Sequence, residues 1–248
     1  MARPSPTAYH LGYIVTAHAV CTASIALLFA FLIRAKLGLG AFAPAYAVIT
    51  ILIPILAAEP TRRREKPTQF GHANRITLFR AILISAVAAL LGFNPSEDVA
   101  IATTVVAMVA LLLDGLDGYV ARKTDCLSDY GAQLDMELDA FFTLLLSILV
   151  YQWGYAGEWV LFCGLARYGW LLVQLFVPWF TRPLPPEPAF RRKTACVLGV
   201  GGLTLALYPW TASWFNTGFA GVATTALAVS FSIDATWLVN RRKEPLSC

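Results

Sequence analysis

Charge is scarce in this sequence. Only 14% of its 248 residues are Asp, Glu, Lys or Arg, against 58% that are hydrophobic, and mean hydropathy is +0.63. A soluble domain carries about 25% charged residues, so the composition excludes an ordinary water-soluble domain and points to a polytopic membrane protein. Cysteine pairing is also missing. The five cysteines, at 21, 126, 163, 196 and 248, form no C-x-x-C pair. Three lie in apolar runs, where a thiol behaves as a small hydrophobe, so neither a disulfide framework nor a zinc site is expected. The three histidines, His10, His18 and His72, have no ligand spacing. There is no internal repeat and no low-complexity segment, and no nucleic-acid polymer is expected as a partner.

What the sequence has instead is long apolar runs. A bilayer core needs about 20 apolar residues per helix. Eight runs qualify, at roughly 11–33, 41–58, 74–93, 98–122, 131–152, 157–180, 191–210 and 214–240. The expected fold is therefore all-α, a polytopic membrane helix bundle of about eight transmembrane helices. The first run is too long for a signal peptide, and only Arg3 precedes it.

Orientation follows from Lys and Arg in the short loops. With the N-terminus inside, the cytoplasmic loops and helix ends hold Arg3, Arg62, Arg63, Arg64, Lys66, Arg75, Arg122, Lys123, Arg182, Arg191, Arg192, Lys193, Arg241, Arg242 and Lys243, while the outside holds Arg34 and Lys36. This asymmetry predicts an even number of spans and cytoplasmic N- and C-termini. The basic stretch 59–73 reads as a cytoplasmic loop or interfacial segment beside anionic lipid. The Pro-rich stretch 181–190 cannot be helical throughout. Trp153, Tyr155, Trp179, Trp210 and Trp214 lie near span ends, as interface anchors do.

Against this background the segment "DGLDGYVARKTDCLSDYGAQLDMELD", 114–139, stands out. Asp114 and Asp117 are three residues apart and share a helix face, which Gly118 and Ala121 continue before Arg122. Gly131, Asp135 and Asp139 recur every four residues on the next span. Only eight residues, 123–130, join the two, so they are expected to be antiparallel neighbours with their acids facing each other. An acid at mid-membrane costs about 2.5–3.5 kcal/mol on insertion scales. Arg122 and Lys123 are the local bases visible, too few for four acids. An all-carboxylate oxygen site suits Mg²⁺, Mn²⁺ or Ca²⁺ rather than zinc, and four Asp from two helices have the capacity for two ions that clamp a phosphoryl group. The glycines read as clearance for a bulky ligand. A single D-x-x-D-G is more often a helix-packing device; the whole array is not.

The array resembles the signature of the CDP-alcohol phosphotransferase family (CDP-alcohol phosphatidyltransferases), D-x-x-D-G-x-x-A-R-x8-G-x3-D-x3-D, at Asp114, Asp117, Gly118, Ala121, Arg122, Gly131, Asp135 and Asp139. "NRITLFR", 74–80, is similar to the N-x-x-T-x-x-R-type opening of the family's first core helix. The resemblance covers spans three to eight. It implies a six-helix core over 74–248, two additional N-terminal helices over 1–58, and the segment 59–73 between them.

The resemblance further implies transfer of a phosphatidyl-type group from a CDP-linked lipid to an alcohol, with release of CMP, by a metal-dependent membrane enzyme of phospholipid synthesis. Asp114, Asp117, Asp135 and Asp139 would be metal ligands for two divalent ions, Mg²⁺ or Mn²⁺. Asp139 would also be the catalytic base. Gly118, Ala121, Arg122, Gly131, Asn74 and Thr77 would bind the CDP moiety. Asp125, Asp129 and Glu137 fall off the signature and read as loop or helix-face acids.

For the acceptor, the bases within and beside the later spans are informative. Arg167 lies inside the sixth span, and Arg191, Arg192 and Lys193 open the seventh. Arg80 lies inside the third. A phosphate-bearing acceptor suits Arg, so glycerol 3-phosphate and a phosphatidylglycerophosphate-synthase-like member of the family are expected. Inositol phosphate, phosphatidylglycerol and a neutral alcohol are the alternatives. The family also carries the expectation of a homodimer. A function of another class, an ion- or proton-coupled transporter, would explain intramembrane charge, but the acids crowd one side and no broken-helix repeat is evident.

Overall fold

The computed structural model of the chain describes residues 45, 48, 49, 52, 72–123, 129–182, 184, 189–210 and 212–241. Within these residues the structure is helical and contains no strand. Six α-helices follow in order: α1 His72–Ala88, α2 Glu97–Lys123, α3 Asp129–Gln152, α4 Leu161–Phe176, α5 Ala189–Ala206 and α6 Ser213–Asn240. They correspond to the six later runs of the sequence. The expected first span, 11–33, and the segment 59–71 lie outside the described residues. Of 41–58, only Ala45, Val48, Ile49 and Leu52 are described, and all four are helical.

Among the described residues, three helices are long and apolar enough to cross a membrane, over Glu97–Leu116, Glu158–Phe176 and Ser213–Asn240. The apolar part of α1 is shorter, Ile76–Ala88. The other two are long but carry charge: Asp135, Glu137 and Asp139 on α3, and Arg191, Arg192 and Lys193 on α5. Large exposed apolar side chains such as Leu112, Leu165, Leu172, Leu175 and Phe176 form the kind of surface that lipid tails solvate.

The chain divides into two compact units, Met1–Phe141 and Phe142–Cys248. In the first, α1 packs against α2. The buried face of α1 is the stripe Thr77, Arg80, Ala81, Ile84, Val87 and Ala88, spaced by three and four residues as a helix face requires. Small residues Ala100, Ala107 and Ala110 are buried on α2, which lets helix axes approach. Buried hydroxyls are satisfied within their own helices: Thr103 Oγ1 donates to the Val99 carbonyl at 2.7 Å and Thr104 Oγ1 to Ala100 at 2.9 Å. The third apolar run was expected to reach residue 93, but α1 stops at Ala88. The chain then turns through Leu90 and Phe93 amide bonds, and Gly92 adopts φ +80°, a conformation that favours glycine.

In the second unit, the rest of α3 leads through Gly154, at φ +74°, into a 3-10 turn, Glu158–Val160, and α4. A Cβ on Gly164 of α4 would lie 2.4 Å from Leu144 Cα, so these two backbones are in direct contact. The run expected to continue to 180 breaks at Val177, which is extended, before Pro178 opens a second 3-10 turn to Thr181. A residue preceding Pro is disfavoured in the helical region, which accounts for the break. α5 and α6 form a packed pair. A Cβ on Gly202 would approach the Phe219 carbonyl to 2.8 Å. Asn216 donates through Nδ2 to the carbonyls of Ala206 and Tyr208, both at 2.7 Å, and so satisfies acceptors left open at the end of α5. Trp210 donates through Nε1 to Leu205 O at 2.9 Å.

Candidate active site

Three acids of the 114–139 segment, Asp114, Asp135 and Asp139, converge within the first unit. Asp114 stands near the end of α2, and Asp135 and Asp139 are one turn apart near the start of α3. One oxygen from each of the three carboxylates lies within 4.8 Å of the others. Oxygen ligands around a divalent ion sit about 2.0–2.6 Å from it, so the three can share one ion. The donor set is oxygen only and partly accessible, with side-chain exposures of 25%, 34% and 21% for Asp114, Asp135 and Asp139. It fits a hard cation such as Mg²⁺ or Mn²⁺ and not a thiolate- or imidazole-seeking metal. Gly131 lies one turn before Asp135 on the same face of α3.

A fourth group completes the cluster. The Arg80 side chain on α1 is 1% exposed. Its Nη1 contacts Asp114 Oδ1 at 2.9 Å and donates to Asp135 Oδ1 at 2.6 Å, and its Nη2 donates to Asp139 Oδ1. One guanidinium thus ties three helices together. Arg80 is a base beyond Arg122 and Lys123, the two nearest in sequence, and the acids of the cluster still outnumber it. Arg80 is 34 residues from Asp114 and 59 from Asp139, a separation that hides the pairing. The available signal was an Arg inside an apolar span, which is retained only when something compensates it.

The other expected residues fall as follows. Asp117, Gly118, Ala121 and Arg122 occupy the last turns of α2, and their side chains lie outside the described residues. The same holds for Asn74 in the first turn of α1. Thr77 is buried one turn before Arg80. Arg167 lies midway along α4, and Arg191, Arg192 and Lys193 lie at the start of α5, all in the second unit. Arg191 is already engaged. Its Nη1 donates to the Ser230 carbonyl at 2.8 Å and to Ser230 Oγ at 2.9 Å, and its Nη2 to Asp234 of α6. Asp234 was not singled out from sequence, although an acid within the apolar run 214–240 is itself a signal. Lys193 is exposed. Glu137, read as a helix-face acid, is in fact buried at 7% exposure and accepts a bond from Gln133 Nε2 at 2.7 Å.

No curated protein and no solved structure matches the chain. A family model described as CDP-alcohol phosphatidyltransferase does, over residues 70–233. That range takes in Arg80, the whole 114–139 segment and every helix from α1 to α5. A carboxylate cluster on neighbouring helices and a family match over well over half of the chain lead to one assignment: this chain belongs to the CDP-alcohol phosphatidyltransferase family.

Proposed function

We propose that this chain, as a member of a family that transfers a phosphatidyl group from a CDP-alcohol to an acceptor, takes CDP-diacylglycerol as donor and a phosphate-bearing alcohol, glycerol 3-phosphate foremost, as acceptor. The observation that carries the reaction is the convergence of Asp114, Asp135 and Asp139 with Gly131 one turn away. Asp114, Asp135 and Asp139, with Asp117, would hold the divalent cations, Mg²⁺ or Mn²⁺ and two in number. Such ions, when bound, offset charge on the diphosphate and on departing CMP.

The acceptor oxygen forms a bond to the phosphorus of the phosphatidyl group. The bond from that phosphorus to the CMP oxygen breaks, and CMP leaves with the electron pair. The hydroxyl proton passes to Asp139, which has two oxygens and can accept from the substrate while Arg80 holds the other. Gly131 and Gly118 admit the nucleotide, with Ala121, Arg122, Asn74 and Thr77 around it. The acceptor phosphate is assigned to Arg167, Arg192 and Lys193. Arg191 is instead committed to Ser230 and Asp234 of α6. In the membrane this site opens to the cytoplasmic side, with both termini on that side and with the enzyme as a homodimer.

The test is release of CMP from CDP-diacylglycerol by purified protein with Mg²⁺ or Mn²⁺, across a panel of acceptors. Glycerol 3-phosphate should support turnover, and inositol or glycerol should not. Equal turnover with unphosphorylated glycerol removes the phosphate assignment. Absence of CMP release with every acceptor removes the donor.

A further inference from the structure

We propose that Arg80 is a positioning residue that serves as the built-in counter-cation of the carboxylate cluster: it holds Asp114, Asp135 and Asp139 together when no divalent ion is bound, and it restrains how tightly the ion binds. The inference deepens the metal reading above and rests on it for its second half only.

Three observations lead here. First, the guanidinium is buried. Arg80 is 1% exposed and lies on the buried stripe of α1 between Thr77 and Ile84. A guanidinium is charged at any accessible pH, and a buried charge is stable only with opposite charge against it. Second, both terminal nitrogens point into the cluster. Nη1 is shared by Asp114 of α2 and Asp135 of α3, and Nη2 takes Asp139. These are the same three carboxylates whose oxygens gather within 4.8 Å, a spacing at which uncompensated acids repel. Third, the charges do not cancel. Three carboxylates against one guanidinium leave a net negative charge of two among these four groups. Arg80 therefore stabilises the cluster without quenching its attraction for a cation.

The two halves have opposite consequences. Without metal, Arg80 offsets repulsion, so removing its charge weakens the fold. With metal, the guanidinium stands beside a second positive charge and competes for the same carboxylates, so removing its charge tightens metal binding. A residue that merely filled space would do neither. A residue that built the metal site by geometry alone would loosen binding when removed.

The experiment compares wild type, Arg80→Met, Arg80→Lys and the charge-balanced double variant Arg80→Met/Asp114→Asn in detergent. Thermal unfolding is followed in EDTA and in a Mn²⁺ titration, and Mn²⁺ affinity is read from the free-ion electron paramagnetic resonance signal. In EDTA, Arg80→Met should melt several degrees below wild type, and the double variant should recover part of the loss. Saturating Mn²⁺ should raise the melting temperature of Arg80→Met by more than that of wild type, because the gain grows with affinity. Its Mn²⁺ Kd should be at least about tenfold lower, the equivalent of losing only ~1.4 kcal/mol of like-charge repulsion. Arg80→Lys keeps the charge and should keep a Kd near wild type.

An equal or weaker Kd in Arg80→Met overturns the restraint on metal binding. A double variant no more stable in EDTA than Arg80→Met overturns the counter-cation. If Arg80→Met fails to fold, a folded double variant supports the proposal, and failure of both in EDTA and in Mn²⁺ overturns it. Wild type that binds no Mn²⁺ defeats the metal reading and the restraint with it, while the EDTA comparison still decides the counter-cation on its own.

Discussion

The pairing of Arg191 with Asp234 makes the sharpest prediction about the second unit, because it separates a structural role for this arginine from a grip on substrate. Asp234→Ala removes the carboxylate and leaves the guanidinium at the α5–α6 contact. Breaking a fully buried ion pair by removing one partner costs about 3–5 kcal/mol. Here the Arg191 side chain is 22% exposed and Asp234 11%, and Arg191 keeps its bonds to the Ser230 carbonyl and hydroxyl. Those features reduce the expected loss to roughly 2–3 kcal/mol. The double variant Arg191→Leu/Asp234→Leu leaves no stranded charge and should recover most of it, since apolar replacement of a buried pair is often neutral or stabilising. The assay is reversible unfolding in mixed micelles followed by circular dichroism. In parallel, the acceptor KM of Arg191→Leu/Asp234→Leu should stay within about threefold of wild type, a shift worth less than ~0.7 kcal/mol. A loss below about 0.5 kcal/mol in Asp234→Ala, the range of neutral surface substitutions, would refute the structural account. So would a double variant with normal stability and a large rise in acceptor KM, which would return Arg191 to the substrate.

The remaining predictions concern the active site, the packing and the topology. Asp135→Asn should reduce CMP release by at least about a hundredfold, the scale set by losing one preorganised electrostatic group, while helix content by circular dichroism stays at the wild-type level. Arg167→Ala should raise the acceptor KM by about ten- to a hundredfold, the worth of one charge-assisted phosphate contact, with the CDP-lipid KM little changed. Gly164→Ala should destabilise by about 1–3 kcal/mol or more, because the new Cβ meets Leu144 Cα at 2.4 Å and backbone cannot yield as a side chain does. Gly169→Ala on the same helix, with nothing within 4 Å, should be neutral or slightly stabilising by up to ~1 kcal/mol. A cysteine at position 128, in a background lacking Cys126, should react with an impermeant maleimide from the cytoplasmic side only; labelling from the opposite side would reverse the orientation inferred from Lys and Arg.

What the sequence disclosed, and what it hid, divides along the length scale of its patterns. Asp135 and Asp139 on one face of α3, after Gly131, were legible because four-residue spacing is a property of a single helix. Asp114 joined them because the connection from α2 to α3 is short. Helix existence was legible for the same reason, since a run of apolar residues is local. Helix ends were less so: hydropathy runs on through Gly92 and Pro178, where backbone conformation ends the helix or keeps it from continuing.

The partners of Arg80 and Arg191 were not legible from local spacing. Arg80 meets acids 34 to 59 residues away, and Arg191 meets one 43 residues away. No periodicity spans such distances. Even so, the composition contained the constraint in another form. An Arg inside an apolar run requires compensation, most directly a carboxylate at the same place in the fold, and an Asp there is most directly compensated by a cation. In α1 through α3 that rule leads Arg80 to the one carboxylate array the sequence had already displayed. In α5 and α6 it pairs Arg191 with Asp234, an acid in an otherwise apolar stretch of α6. Charge compensation within the apolar runs, applied before asking which bases are near in sequence, is therefore the argument by which both pairs were open to inference.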